Sequence, residues 1–118
     1  MVSAQPEYPG GELIPRPDRT PDALRAALAV VAPARMPEME REKDKALTEA
    51  VRQSSIDPLR GFLLRWAAVI EIERHPATAQ RFHRAEYLAQ VSADPETSRQ
   101  YVRESGDILR AAYKDLDA

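Results

Sequence analysis

Ten prolines punctuate the chain. Five of them, Pro21, Pro37, Pro58, Pro76 and Pro95, each open a stretch whose apolar residues recur at helical spacing. Proline at the first helical position loses nothing, because its missing N–H would have had no intrahelical acceptor there. Thr20, Asp57 and Asp94 stand directly before three of these prolines, and their side chains can accept from the free N–H groups of the first turn. Five such starts predict five helices, over 21–32, 37–54, 58–74, 76–91 and 95–116. Alanine, the strongest helix former, occurs 19 times, whereas aromatic residues are only 6% of the chain. Strands draw on aromatic and β-branched residues, so an all-α fold follows. A chain of 118 residues supports one core of ordinary size. The expected object is a compact bundle of about five short helices behind a disordered N-terminal arm.

That arm is residues 1–19, which hold Pro6, Pro9, Pro15, Pro17, Gly10 and Gly11, and whose few apolar residues show no period. If it acts, it acts by laying Leu13 and Ile14 on a partner or on the chain's own body. Residues 20–118 read as a single helical domain, with 93–118 a C-terminal helix that either packs on the bundle or mediates dimerisation.

Within the domain the first helix aligns Leu24, Ala27, Leu28 and Val31 and is closed by Pro33. The second aligns Met36, Met39, Ala46, Leu47, Ala50 and Val51, with Glu38, Arg41, Glu42, Lys45, Glu49 and Arg52 forming a solvated, ion-paired face. The third is apolar on two flanks. Leu59, Phe62, Leu63, Trp66, Val69 and Ile70 make one, and Leu64, Ala68 and Ile72, with Gly61, make a ridge nearly opposite. Such a helix is either central or an interface element. Trp66, mid-face among large neighbours, is expected in the core. The fourth helix has a narrow stripe of Ala79, Phe82, Ala85 and Ala89, with Tyr87, Leu88 and Val91 on its far side. The fifth gathers Tyr101, Val102, Ile108, Leu109, Ala112, Tyr113 and Leu116 in one band. The heptad spacing of Val102, Leu109 and Leu116 suits shallow helix packing and makes a homodimer the expected state. The short link 91–94 makes the last two helices a hairpin.

Chemistry is sparsely represented. The chain has no cysteine, which removes disulfides, thiolate catalysis and sulfur-ligated zinc, and fits a reducing compartment. Its longest apolar run, Ala26–Ala32, is far short of the roughly 18 residues a membrane span needs. With no basic start leading into an apolar stretch, a cytoplasmic location is expected. Serines stand in helix ends or polar faces, so no nucleophile with a neighbouring base can be assembled, and no catalytic residue is assigned. No glycine-rich phosphate loop occurs. The two histidines, His75 and His83, sit near Glu71 and Glu86 at spacings that share a helix face, but paired Glu-x-x-His segments are lacking. No metal or other cofactor is expected. A buried Glu73, neutralised by Arg65 or Arg74, is the one candidate for acid–base work. Near-neutral charge, −2 from 17 basic and 19 acidic residues, argues against bulk coating of nucleic acid. A local patch of Arg74, Arg81 and Arg84 with His75 and His83 could still grip phosphates.

Four segments carry a resemblance. They are Asp22-Ala-Leu-Arg-Ala-Ala-Leu28, Ala46-Leu-Thr-Glu-Ala50, Asp57-Pro-Leu59 and Phe62-Leu-Leu-Arg-Trp66. Over 21–95 the chain resembles a family of small uncharacterised actinobacterial helical proteins, a domain of unknown function. Members often carry large aromatics in the second helix, where Met39 and Lys43 stand here. The resemblance implies a small helical protein and supplies no catalytic residue.

The function expected from these residues is a non-catalytic interaction or regulatory module, antitoxin-like, that binds a protein partner. Leu64, Ala68 and Ile72, or Leu13 and Ile14, would be buried on the partner, with Arg60 and Arg65 steering at the rim. The alternative is a nucleic-acid-associated regulator using Arg74, Arg81 and Arg84.

Overall fold

The computed structural model describes residues 11–117. Among them are five α-helices and no strand: α1 (Pro21–Val31), α2 (Met36–Gln53), α3 (Asp57–Glu73), α4 (Pro76–Val91) and α5 (Pro95–Leu116), with a 3-10 turn at Pro33–Arg35 between α1 and α2. The all-α expectation holds, and each of the five expected helices is present.

Two of the three expected caps are in place. Thr20 Oγ1 accepts from the Ala23 N–H at 3.2 Å. The Asp94 carboxylate accepts from the Thr97 hydroxyl at 2.7 Å and the Thr97 N–H at 3.1 Å. These bonds, the hydroxyl first, hold the Asp94 carboxyl below its ordinary value. Asp57 differs. It is the first residue of α3, and the cap is Ile56, whose carbonyl accepts from the N–H groups of Leu59 and Arg60. Asp57 instead gives its own N–H to Ser55 Oγ. Likewise α2 begins at Met36, so Pro37 and Pro58 take the second helical position, where a missing N–H is equally harmless.

The helices form two compact units, residues 16–71 and residues 11–15 with 72–117. In the first, α1 buries Leu24, Ala27 and Leu28 as its spacing predicts. In α2 only Met39 is fully enclosed. Met36, Ala46 and Ala50 are half-buried, but Leu47 and Val51 are exposed, Val51 to 81%. They stand one residue beyond Ala46 and Ala50, hence about 100° further round the helix, outside the inward face. The α2–α3 turn passes through Ser54 in the left-handed region, φ 50°.

Helix α3 carries the core. Every residue from Trp66 to Arg74 is buried. Ala68 is 0% and Ile72 3% exposed, and Leu64 is half-buried. Burial thus takes in Ala68 and Ile72 of the second ridge as well as Trp66, Val69 and Ile70 of the first. Gly61 lies near the exposed start of α3, and beyond its chain neighbours and the helix's own backbone no atom stands within 4 Å of where its Cβ would be. Gly61→Ala therefore relieves a helix-interior glycine without a clash and is expected to stabilise the protein by about 0.5–1 kcal/mol, read as a higher urea midpoint.

In the second unit α4 packs on α5 across the link 92–94, the expected hairpin. Ala79 and Ala85 on α4 and Ile108 and Ala112 on α5 are buried, and Ser98 Oγ donates to the Ala89 carbonyl at 2.6 Å. Alanine on both helices permits close approach. The expectation of a disordered arm covers residues 1–10, which lie outside the described residues, and 11–19, which do not fit it. That stretch has no α-helix, but the Leu13 N–H donates to the Arg74 carbonyl at 2.8 Å, which fixes its path.

Candidate functional site

In residues 16–71 the ionic side chains of α2 and α3 converge on Trp66. Its indole N–H donates to Glu42 Oε1 at 3.0 Å. Arg65 Nε donates to the same oxygen at 2.8 Å, and its Nη2 reaches Glu42 Oε2 at 3.3 Å and Glu38 Oε2 at 3.5 Å. Arg35 grips both oxygens of Glu38. The guanidinium carbons of Arg35 and Arg65 stand 5.0 and 5.6 Å from the Trp66 ring centroid, within cation–π range. Two carboxylates one helical turn apart thus hold two arginines against one indole. Arg65, expected to steer at a rim, has its charge committed here, and Arg60 is exposed beside Asp57 at 3.7 Å.

The hydrogen bond from Arg65, aided by that from Trp66, holds the Glu42 carboxyl below its ordinary value of 4.5 despite partial burial. A carboxyl lowered on folding contributes stability that is complete above its unfolded pKa and is lost as pH falls through the folded one. Stability is therefore expected to decline as pH drops below about 4.5. Glu42→Gln should flatten that part of the decline while lowering the plateau at neutral pH, as urea midpoints over pH 3–7 will record.

Beside this cluster α2 and α3 enclose an open groove of about 410 Å³. Ala46, Pro58, Gly61 and Phe62 give it an apolar lining, and Glu42, Lys45, Glu49 and Arg65 give it charges of both signs. Balanced charges of this kind select no ligand class. Glu73, the candidate acid–base residue, is not part of its lining.

The end of α3 holds three buried charges. In residues 16–71, Glu71 is 4% exposed and accepts a forked pair of bonds from Arg16, at 2.9 and 3.0 Å. In the other unit Glu73, 7% exposed, lies 2.6 Å from His83 Nε2. That contact replaces both expected neutralisers, Arg65 and Arg74, and also takes His83 from Glu86. Arg74, 5% exposed, pairs with Glu12 at 3.2 Å and donates to the Ile14 carbonyl at 3.2 Å. Of the phosphate-gripping trio, Arg74 is thus withdrawn from solvent by residues 12–14, while Arg81 and Arg84 are exposed on α4. Leu13 and Ile14 lie against the chain's own α3 end, Leu13 with 47% of its surface still exposed. Among the described residues no group of three or more His, Asp or Glu is arranged to hold a metal ion.

The outer face of α4 carries two exposed apolar side chains. Tyr87 and Val91 are 63% and 53% exposed. They stand three and seven residues after Arg84, on the side turned away from the buried Ala85. The α4 sequence already places Tyr87 and Val91 on the far side. What the α3 sequence lacks is any sign that Ala68 and Ile72 of its second ridge are buried.

No helix among the described residues is long and apolar enough to cross a membrane. No curated protein and no solved structure matches the chain. A model of a family of unknown function, DUF6247, matches residues 13–112. The match begins at Leu13, where the N-terminal segment meets Arg74, and takes in α1 to α4 and most of α5. With so much of its length inside that match, the chain belongs to this family of unknown function.

Proposed function

We propose that the protein is a non-catalytic module that regulates a partner protein by binding it, in the manner of an antitoxin and in the cytoplasm. The observation that carries this reading is the outer face of α4, where Tyr87 and Val91 are exposed beside Arg84. Tyrosine and arginine are the residue types that most often anchor protein interfaces. The contact is assigned to α4 because, of the ridge first expected to bind, Ala68 and Ile72 are buried and Leu64 is half-buried. The absence of cysteine fits a reducing compartment. The test is a pull-down from the source organism with the full chain and with Tyr87→Ser/Val91→Asp. A protein retained by the first and lost by the second, with helicity unchanged, supports the reading. An identical set on both overturns it.

Two further readings have one observation each. Self-association is favoured by Val102, which is 56% exposed at the head of the heptad-spaced series with Leu109 and Leu116. A dimer mass by light scattering supports it, and a monomer mass removes it. Binding of nucleic acid is favoured by the exposed Arg81 and Arg84, and requires affinity for duplex DNA that falls steeply with salt.

A further inference from the structure

We propose that the outer face of α4 receives an acidic amphipathic helix, about three turns long, of the partner protein. This inference deepens the interaction reading above and rests on it.

The face is defined by spacing. Gln80, Arg84, Tyr87 and Val91 stand at i, i+4, i+7 and i+11, so they share one side of α4, and Arg81 flanks them. All five are exposed. The opposite side, with Ala85 buried and Phe82 and Ala89 half-buried, is occupied by packing.

Charge identifies the occupant. On α5, Arg99 and Arg103 share Glu96, and Arg110 pairs with Asp107. Arg25, Arg52 and Arg60 likewise have a carboxylate. Among the described residues Arg81 and Arg84 have none, and unlike Arg41, the other exposed arginine of which this holds, they stand together on one helix. The one carboxylate of α4, Glu86, follows Arg84 by two residues and therefore faces about 200° away from it. In a chain with more acidic than basic groups, this face holds positive charge that no carboxylate among the described residues compensates. The complement is a surface that offers carboxylates next to apolar side chains. A phosphate backbone would satisfy the two arginines but offers nothing to cover Tyr87 and Val91, so a polypeptide is favoured over nucleic acid. From Arg81 to Val91 the face runs about 15 Å, the length of a helix of roughly ten residues. A matching segment places apolar residues at i and i+3 or i+4 over Tyr87 and Val91, and carboxylates one to two turns away opposite Arg84 and Arg81.

The test uses the full chain with Tyr87→p-benzoylphenylalanine as a photo-crosslinking probe, expressed in the source organism, with the attached peptide sequenced by mass spectrometry. The expected product is a protein segment with at least two Asp or Glu residues in helical register with the crosslinked residue. Capture should fall at least tenfold with Arg81→Glu/Arg84→Glu and return when those partner carboxylates are replaced by lysine. Both arginines are exposed, so this double variant is expected to keep its far-UV circular dichroism. A captured segment without carboxylates, or capture indifferent to the charge reversal, overturns the acidic-helix inference and leaves the interaction reading standing. Attachment to nucleic acid, or no attached product, overturns both.

Discussion

Trp66→Ala is expected to destabilise the protein by about 3–5 kcal/mol, a large part of the total stability of a domain this size. The indole is 0% exposed, so its removal opens a cavity in the most enclosed part of α3. It also strips Glu42 of one donor and leaves Arg35 and Arg65 without the ring they lie against. Trp66→Phe separates these contributions. Most of the volume remains, while the hydrogen bond to Glu42 and part of the cation–π attraction go, for an expected loss of about 1–2 kcal/mol. Urea unfolding followed by circular dichroism reads both variants. A loss under about 1 kcal/mol for Trp66→Ala would mean that the clamp around the indole carries no weight.

The second large effect is expected at Arg74. Arg74→Met should cost about 3 kcal/mol, because it leaves the Glu12 carboxylate and the Ile14 carbonyl without their buried donor. Glu12 keeps a quarter of its side chain in water, which places the loss at the lower end of what a broken buried pair costs. Adding Glu12→Leu to the same chain removes the stranded charge and should recover a substantial part. A double-mutant cycle isolates the coupling, expected to exceed about 1 kcal/mol. Strict additivity of the two substitutions would show that residues 12–14 contribute nothing through this pair.

What could be read from the residues was what depends on near neighbours. Proline fixes its own φ and a cap reaches only three residues, so the helix starts at Pro21, Pro76 and Pro95 were legible, and the errors at Met36 and Asp57 amount to one residue each. The enclosure of Trp66 was legible too, since it lies amid large apolar residues. Its clamp was not. Glu38 and Glu42 repeat with Lys45 and Glu49 in a pattern that reads as a solvated face, and nothing in that spacing reveals that the partner is Arg65 on another helix. Arg74 was misread for a related reason. An arginine at a helix end is ordinarily in water, and the carbonyl that helps enclose it belongs to a residue 60 positions earlier. As for the candidate site, the far-side placement of Tyr87 and Val91 was visible from period alone. The uncompensated charge beside them was not, because pairing is a property of the folded chain.

The unbroken burial of α3 from Trp66 to Glu73 also sets a clock. Hydrogen-bonded amides inside such a stretch are expected to exchange chiefly when the surrounding structure opens cooperatively. Their exchange rates in plain buffer would report the free energy of that opening directly, with no denaturant and no extrapolation, and would rank every substitution named above on a single scale.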